Sequence, residues 1–246
     1  MRRLILSDIH ANLEALEAVL RDAEGRYDEI LCCGDVVGYN ANPAETVEWA
    51  RRHVRHIVRG NHDRVVAFIE EPSDFNLHAL EAARWTHARL SREQLGWLRA
   101  LPAGPLVFDD FELVHGAPRD EDEYVLDQYE VLTLHDLIAS RVCFFGHTHV
   151  QGGWMWSRGG LVAFRRPHFG EEEVIHELAD DGLFLLNPGS VGQPRDGDPR
   201  AAYAIWDPDQ RIITFRRVEY DIAQAQQKIL DSGLPERLAL RLAFGR

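Results

Sequence analysis

The chain has 246 residues, 45% of them apolar, enough for one α/β domain with a substantial core. Its 40 acidic against 27 basic residues give a formal charge of −13, which argues against a long nucleic-acid partner because that affinity rests on clustered Lys and Arg. No apolar run reaches the length of a membrane span, and the start, Met1-Arg2-Arg3-Leu4-Ile5-Leu6-Ser7-Asp8, has too short an apolar core for a secretory leader; a soluble, cytoplasmic protein with no membrane partner is expected.

Residues 4–6 read as a first strand, after which Asn12 caps a helix to about residue 23 with Leu13, Leu16, Val19 and Leu20 on one face. Strand 30–33 follows, then a helix opened by Pro43 and reaching about residue 52, then strand 56–58, a β-α-β-α-β pattern. Two helices are predicted between 76 and 99, the second capped by Ser91 with Glu93 and Gln94 in its first turn. Runs 106–108 and 111–114 flank Asp109-Asp110 as a hairpin, and a helix is predicted over 130–140. Strands at 142–145, 152–156, 161–164, 183–186, 202–206 and 212–217 then dominate, with antiparallel neighbours expected. A helix at about 222–230 precedes a tail, 234–246, whose leucines are expected to pack on the body or on a second copy in a homo-oligomer. Cys32, Cys33 and Cys143 fall in predicted buried strands and read as free thiols.

Five blocks rich in Asp, His and Asn punctuate these elements: Asp8-Ile9-His10, Gly34-Asp35, Gly60-Asn61-His62-Asp63, His115, and Gly146-His147-Thr148-His149. Each follows a predicted strand. Asp8, Asp35 and Asn61 are 27 and 26 residues apart, about one strand, crossover helix and next strand, so a parallel sheet would set their carboxyl ends side by side, where open α/β sheets bind ligands. Any one block alone is as well explained by a hydrogen-bonded turn. The ordered set of carboxylate, imidazole and amide groups suits a borderline first-row metal, and the absence of thiolate disfavours a structural zinc knot.

These blocks, and the segment Asn187-Pro188-Gly189-Ser190-Val191, resemble the calcineurin-like metallophosphoesterases, specifically their small bacterial phosphodiesterase branch. The resemblance implies an α/β fold, the four-layer α-β-β-α sandwich of two mixed β-sheets flanked by helices, over one domain, residues 1–246. It implies two divalent first-row metal ions, manganese first and iron, zinc, cobalt or nickel as alternatives. Asp8, His10 and His149 would hold one ion, Asn61, His115 and His147 the other, and Asp35 would bridge them. A hydroxide shared by the ions would attack phosphorus in line, without a protein nucleophile.

In the family the histidine at His62 protonates the leaving oxygen or stabilises the pentacoordinate phosphorus; Asp63 is expected to orient it and raise its pKa toward the operating range. The competing reading is a solvent-facing loop histidine beside a helix-capping Asp63. Arg119 and Arg195 are candidate phosphate clamps, or surface ion-pair partners. Asn12 is a candidate substrate contact, or only a cap. Ala11 departs from the family pattern, where glycine commonly follows the Asp-x-His histidine. The function implied is hydrolysis of small-molecule or nucleotide phosphodiesters. A phosphomonoesterase or protein phosphatase of the same fold is the alternative, and a non-catalytic metal-binding scaffold is opposed by His62 and the full ligand set. Segments 76–99 and 151–166 are expected to wall the cleft.

Overall fold

The computed structural model describes residues 1–69 and 75–246. β1 (Arg3–Leu6), α1 (Leu13–Asp22), β2 (Glu29–Cys32), α2 (Pro43–His53) and β3 (His56–Ile57) make up the β-α-β-α-β half. β1 and β2 are parallel, with Leu6 opposite Cys32, and β3 extends the parallel set. Asn12 starts α1: its Oδ1 accepts the Ala15 N–H at 3.1 Å, satisfying a donor that the first turn leaves without a helical partner. Pro43 occupies the start of α2, where its missing N–H costs nothing.

There follow α3 (Asn61–Val66), α4 (Leu77–Arg89), α5 (Arg92–Ala100), β4 (Leu106–Val107), β5 (Phe111–Leu113), α6 (Gln128–Leu132), β6 (Val142–Phe144), β7 (Gly152–Ser157) and β8 (Gly160–Phe164). The chain closes with β9 (Glu173–Glu177), β10 (Leu183–Asn187), β11 (Ala201–Asp207), β12 (Ile212–Val218), α7 (Ile222–Asp231) and α8 (Glu236–Leu242). The strands form two sheets of six, ordered β3-β2-β1-β11-β12-β9 and β4-β5-β6-β10-β7-β8. Both are mixed: β11 runs antiparallel to β1 in the first sheet, and β7 antiparallel to β10 in the second.

Alternation along the strands explains the layering. Ile5, Ala204 and Trp206 face Phe144, Phe184 and Leu186 in the core between the sheets, while Leu4, Leu6, Tyr203 and Ile205 face outward onto Ala15, Leu16 and Val19 of α1. On the far side, Leu185 and Phe145 meet Val131 of α6. Strands with both faces buried read as continuous apolar runs, and the result is a four-layer α-β-β-α sandwich. No helix of the described residues is long and apolar enough to cross a membrane.

Some sequence expectations are corrected. The helix expected over 130–140 is only α6, followed by a 3-10 turn at His135–Leu137. Asp127 caps α6 through Tyr129 and Glu130 N–H groups. Beyond it the chain is drawn onto the β4–β5 hairpin, where Ala139 N–H donates to Glu112 Oε1 and Ser140 Oγ to the Phe108 carbonyl. β9, α3 and α8 were not anticipated. The tail forms α8, and Leu238, Ala239 and Leu242 pack on Ala225 and Ile229 of α7 and on Ala79 and Ala82 of α4. The three cysteines are buried free thiols.

Candidate metal centre

The five blocks converge where the carboxyl ends of the two sheets meet. Asp8 and His10 follow β1, Asp35 follows β2, Asn61 opens α3 after β3, His115 follows β5, and His147 and His149 follow β6. Asp8, His10, Asp35, His147 and His149 all have φ between +48° and +64°. An L-residue held there costs about 1–2 kcal/mol, so the surroundings must enforce the geometry. Main-chain bonds do so: Asp8 N–H to Gly34 O at 3.0 Å, His10 N–H to Asp35 O at 2.9 Å and Ala11 N–H to Val36 O at 2.9 Å lace the first two loops together. Ala11 itself takes φ +54°, the conformation for which the glycine common in the family is better suited.

Asp63 finishes the lacing, and this corrects its expected role. Its Oδ1 accepts the N–H groups of Val36 and Val37, and its Oδ2 those of Asp35 and Gly60, at 2.9–3.2 Å. Both oxygens are thereby engaged with the Asp35 loop and the start of α3, and Asp63 does not orient His62. Gly60 is required by the same closeness: a Cβ there would stand 2.0 Å from Asp35 Oδ1.

Each ligand histidine is held from behind. One ring nitrogen of His10, His115, His147 and His149 lies 3.0, 2.7, 3.1 and 2.6 Å from the carbonyls of Val37, Cys33, Asp122 and Gln193 respectively. A nitrogen facing a carbonyl must carry the proton, which leaves the other nitrogen directed inward as a base. The inward nitrogens crowd together: His10 Nε2 is 3.1 Å from His149 Nε2, and His115 Nε2 is 3.2 Å from His147 Nδ1. Two lone pairs facing each other at that distance repel unless a cation or proton lies between them. Asp35 Oδ2 is shared by both groups, 3.6 Å from His10 Nε2 and 3.4 Å from His115 Nε2. Asn61 Oδ1 is 3.2 Å from His115 Nε2, and Asp8 Oδ1 is 3.3 Å from His149 Nε2. Buried Asp8 Oδ2 has no hydrogen-bond partner.

Two clusters result, Asp8, His10, Asp35 and His149, and Asp35, His115 and His147, each with ligand atoms within 4.8 Å of one another. Adding the Asn61 amide to the second yields two sets of hard and borderline donors joined by one carboxylate. The donor chemistry fits a pair of first-row divalent cations.

The electrostatics agree. Burial pushes His10 and His149 well below the ordinary imidazole value. Burial also opposes protonation of His115, but the adjoining Asp35 carboxylate outweighs it and lifts His115 to about 10. Without metal, His115 is therefore an imidazolium at pH 7. An imidazole binds a metal only after losing that proton, so loading should release about one proton per chain at pH 7, and affinity should rise about tenfold per pH unit from 6 to 9. Calorimetry in buffers of different ionisation enthalpy measures this; loading without proton release would contradict it.

Above the ligands lies a cavity of about 130 Å³, lined by Tyr39, His62, Phe75, Tyr124, Arg195 and Arg241 together with Asp35, Asn61, His147 and His149. His62 is buried, its Nδ1 has no hydrogen-bond partner among the described residues, and its ring packs against Tyr39 and Phe75 at centroid distances of 4.3 and 4.5 Å. Gly38, at φ +98°, admits that ring: a Cβ there would lie 2.5 Å from His62 Nδ1. Aromatic contacts hold the imidazole in place of the expected carboxylate. Burial lowers its pKa to about 4, opposite to the expected rise.

Arg195 Nη2 donates to Tyr39 Oη at 3.2 Å and to Gln193 Oε1 at 3.3 Å, while its buried Nε has no partner among the described residues. Arg119 lies outside the cavity, in a forked pair with Glu123 on the surface. Asn12 is also elsewhere, donating to Gly192 O at 2.9 Å while it caps α1. Of the expected walls, 76–99 contributes Asn76 and Ala79, and 151–166 forms β7 and β8 at the outer edge of the second sheet. Sequence reasoning missed Tyr39, Phe75, Tyr124 and Arg241. Tyr39 lies four residues after Asp35 and could have been found by extending that block; the others carry no local signal.

Two mixed sheets in four layers, with two histidine-carboxylate clusters joined by one aspartate, define a metallophosphoesterase. Residues 1–211 match the calcineurin-like phosphoesterase superfamily domain, and the chain belongs to that superfamily. It is 40% identical to a metallophosphoesterase from Sphaerobacter thermophilus, whose crystal structure superposes with a TM-score of 0.87 over 100% of this chain and 99% of that one. It is 38% identical to the uncharacterized protein MJ0912 of Methanocaldococcus jannaschii, over 98% of this chain and 97% of that protein. The hypothetical protein PH1004 of Pyrococcus horikoshii OT3 shares the fold, with a TM-score of 0.79 at 19% identity, over 100% of this chain and 98% of that one.

Proposed function

We propose that the chain is a binuclear metal-dependent phosphodiesterase acting on small-molecule or nucleotide phosphodiesters, with manganese the favoured ion. The observation that carries this reading is the set of inward-facing imidazoles around Asp35 Oδ2, each anchored by its other nitrogen to a carbonyl. Bound there, two ions supply Lewis acidity to a phosphate oxygen and to the attacking water.

The chain's own groups do the rest. Arg195, whose main-chain N–H is tied to His149 O at 3.2 Å, holds a phosphate oxygen with its guanidinium. His62 is neutral in the free protein and gains a proton when an anionic phosphate enters the cavity, since a neighbouring negative charge favours imidazolium. It then gives that proton to the leaving oxygen. Among the described residues the cavity lining includes no serine, threonine or cysteine, and the Tyr39 hydroxyl is taken up by Arg195 at 3.2 Å, which favours direct attack by water over a covalent intermediate.

Rates with manganese, cobalt, iron and zinc on bis(p-nitrophenyl) phosphate and p-nitrophenyl phosphate test the class. The diester is expected to be favoured at least about tenfold, a difference of about 1.4 kcal/mol in transition-state binding, and a monoester preference would overturn the reading. Hydrolysis of a diester chiral at phosphorus is expected to invert configuration; retention would require a covalent intermediate.

A further inference from the structure

The cavity over the metal centre continues outward. Phe75, Asn76 and Arg241 line it and also line a groove of about 1010 Å³, whose far wall is α8 and the residues after it. Small-molecule sites typically measure about 300–1,000 Å³. The inner space of about 130 Å³ therefore takes a phosphate group and little more, and the remainder of a substrate must lie in the groove.

Arg241 stands at the junction. Its Nε donates to the Arg246 main-chain oxygen at 2.6 Å. In a chain with 40 acidic residues, no carboxylate side chain among the described residues pairs with Arg195, Arg237, Arg241 or Arg246, although Arg237 and Arg246 line the same groove. Burial, and after it the nearby Arg195 charge, push the Arg241 pKa down, whereas at Arg195 burial is outweighed by Tyr39, Tyr124 and Asp8 and the pKa is raised. Phe75, Leu240 and Phe244 give the groove apolar and aromatic surface. α8 lies beyond the residues matched to the superfamily domain.

We propose that Arg241 reads a second anionic group, and that the substrate is a nucleoside phosphodiester bearing a further phosphate, its nucleoside lying in the groove between Phe75 and α8. This rests on the phosphodiesterase reading above. The scissile phosphate occupies the inner cavity beside Arg195, and the second phosphate sits at the junction beside Arg241, where no carboxylate side chain among the described residues meets either guanidinium.

The p-nitrophenyl ester of thymidine 5′-phosphate, with and without a 3′-phosphate, tests this, because nucleoside and leaving group are the same. The manganese-loaded protein is expected to favour the 3′-phosphorylated ester at least about tenfold in kcat/KM, mainly through KM, the scale of one charge-assisted contact. Arg241→Met should reduce that preference at least about fivefold, and Arg241→Lys should retain part of it, with metal content unchanged in both. Equal use of the two esters by the wild-type protein, which needs no variant, would overturn the second-anion site while leaving the phosphodiesterase reading standing. So would an Arg241→Met variant that lowers both rates by one common factor. Hydrolysis of neither ester by the metal-loaded protein would remove the phosphodiesterase reading itself, and this inference with it.

Discussion

Asp35→Asn is expected to cost both metals at once and to lower kcat/KM by about 10³ or more, the scale of losing a principal charge-stabilising group. One oxygen of Asp35 lies 3.6 Å from His10 Nε2 and 3.4 Å from His115 Nε2, so its charge serves both clusters. The amide keeps the shape and can still accept the His62 N–H that Asp35 Oδ1 takes at 2.9 Å, so the helix start at Asn61 should survive. The rise in Tm that metal gives the wild-type protein should disappear, because a ligand stabilises only as far as it binds the native state. His149→Ala touches one cluster and should lower metal content toward one per chain. Equal, small losses from the two substitutions would contradict the shared role of Asp35.

His62→Ala is expected to leave both metals in place and to lower kcat by about 10² to 10⁴. The imidazole shares the cavity with the ligands but belongs to neither cluster. The stability change should be small, within about 1–2 kcal/mol, since lost ring packing on Tyr39 and Phe75 is offset by removal of a buried nitrogen without a partner. The loss should depend on the leaving group. A nitrophenolate departs without a proton, so the variant should lose less on that ester than on an alkyl or ribosyl ester. Full rate on the poor leaving group, with both metals bound, would make His62 a bystander.

The difference between what was and was not legible in the sequence has a physical cause. Metal ligands must be particular residue types and cluster at strand ends, so Asp8, Asp35, Asn61, His115 and the His147–His149 pair stand out from their neighbours. The double burial of strands was visible in runs such as residues 183–186, because a strand covered on both faces has no polar alternation. Asp63 was misread because its partners are main-chain N–H groups, which no side-chain pattern records. The direction of the His62 pKa was misread for the same reason: in the absence of a carboxylate against the ring, burial prevails. Arg241 reaches the cavity only because α8 packs on α4 and α7, a long-range consequence of apolar contacts that its own neighbourhood does not announce. The helix expected over 130–140 failed because Glu112 and Phe108 capture Ala139 and Ser140.

The central claim is a pair of cations joined by Asp35, and metal content measures it most directly. Protein stripped of metal, reconstituted with manganese and freed of excess ion should hold close to two manganese per chain by elemental analysis, since the two clusters share only one ligand. Binding that saturates at one per chain under every reconstitution condition would contradict the binuclear centre and the chemistry derived from it.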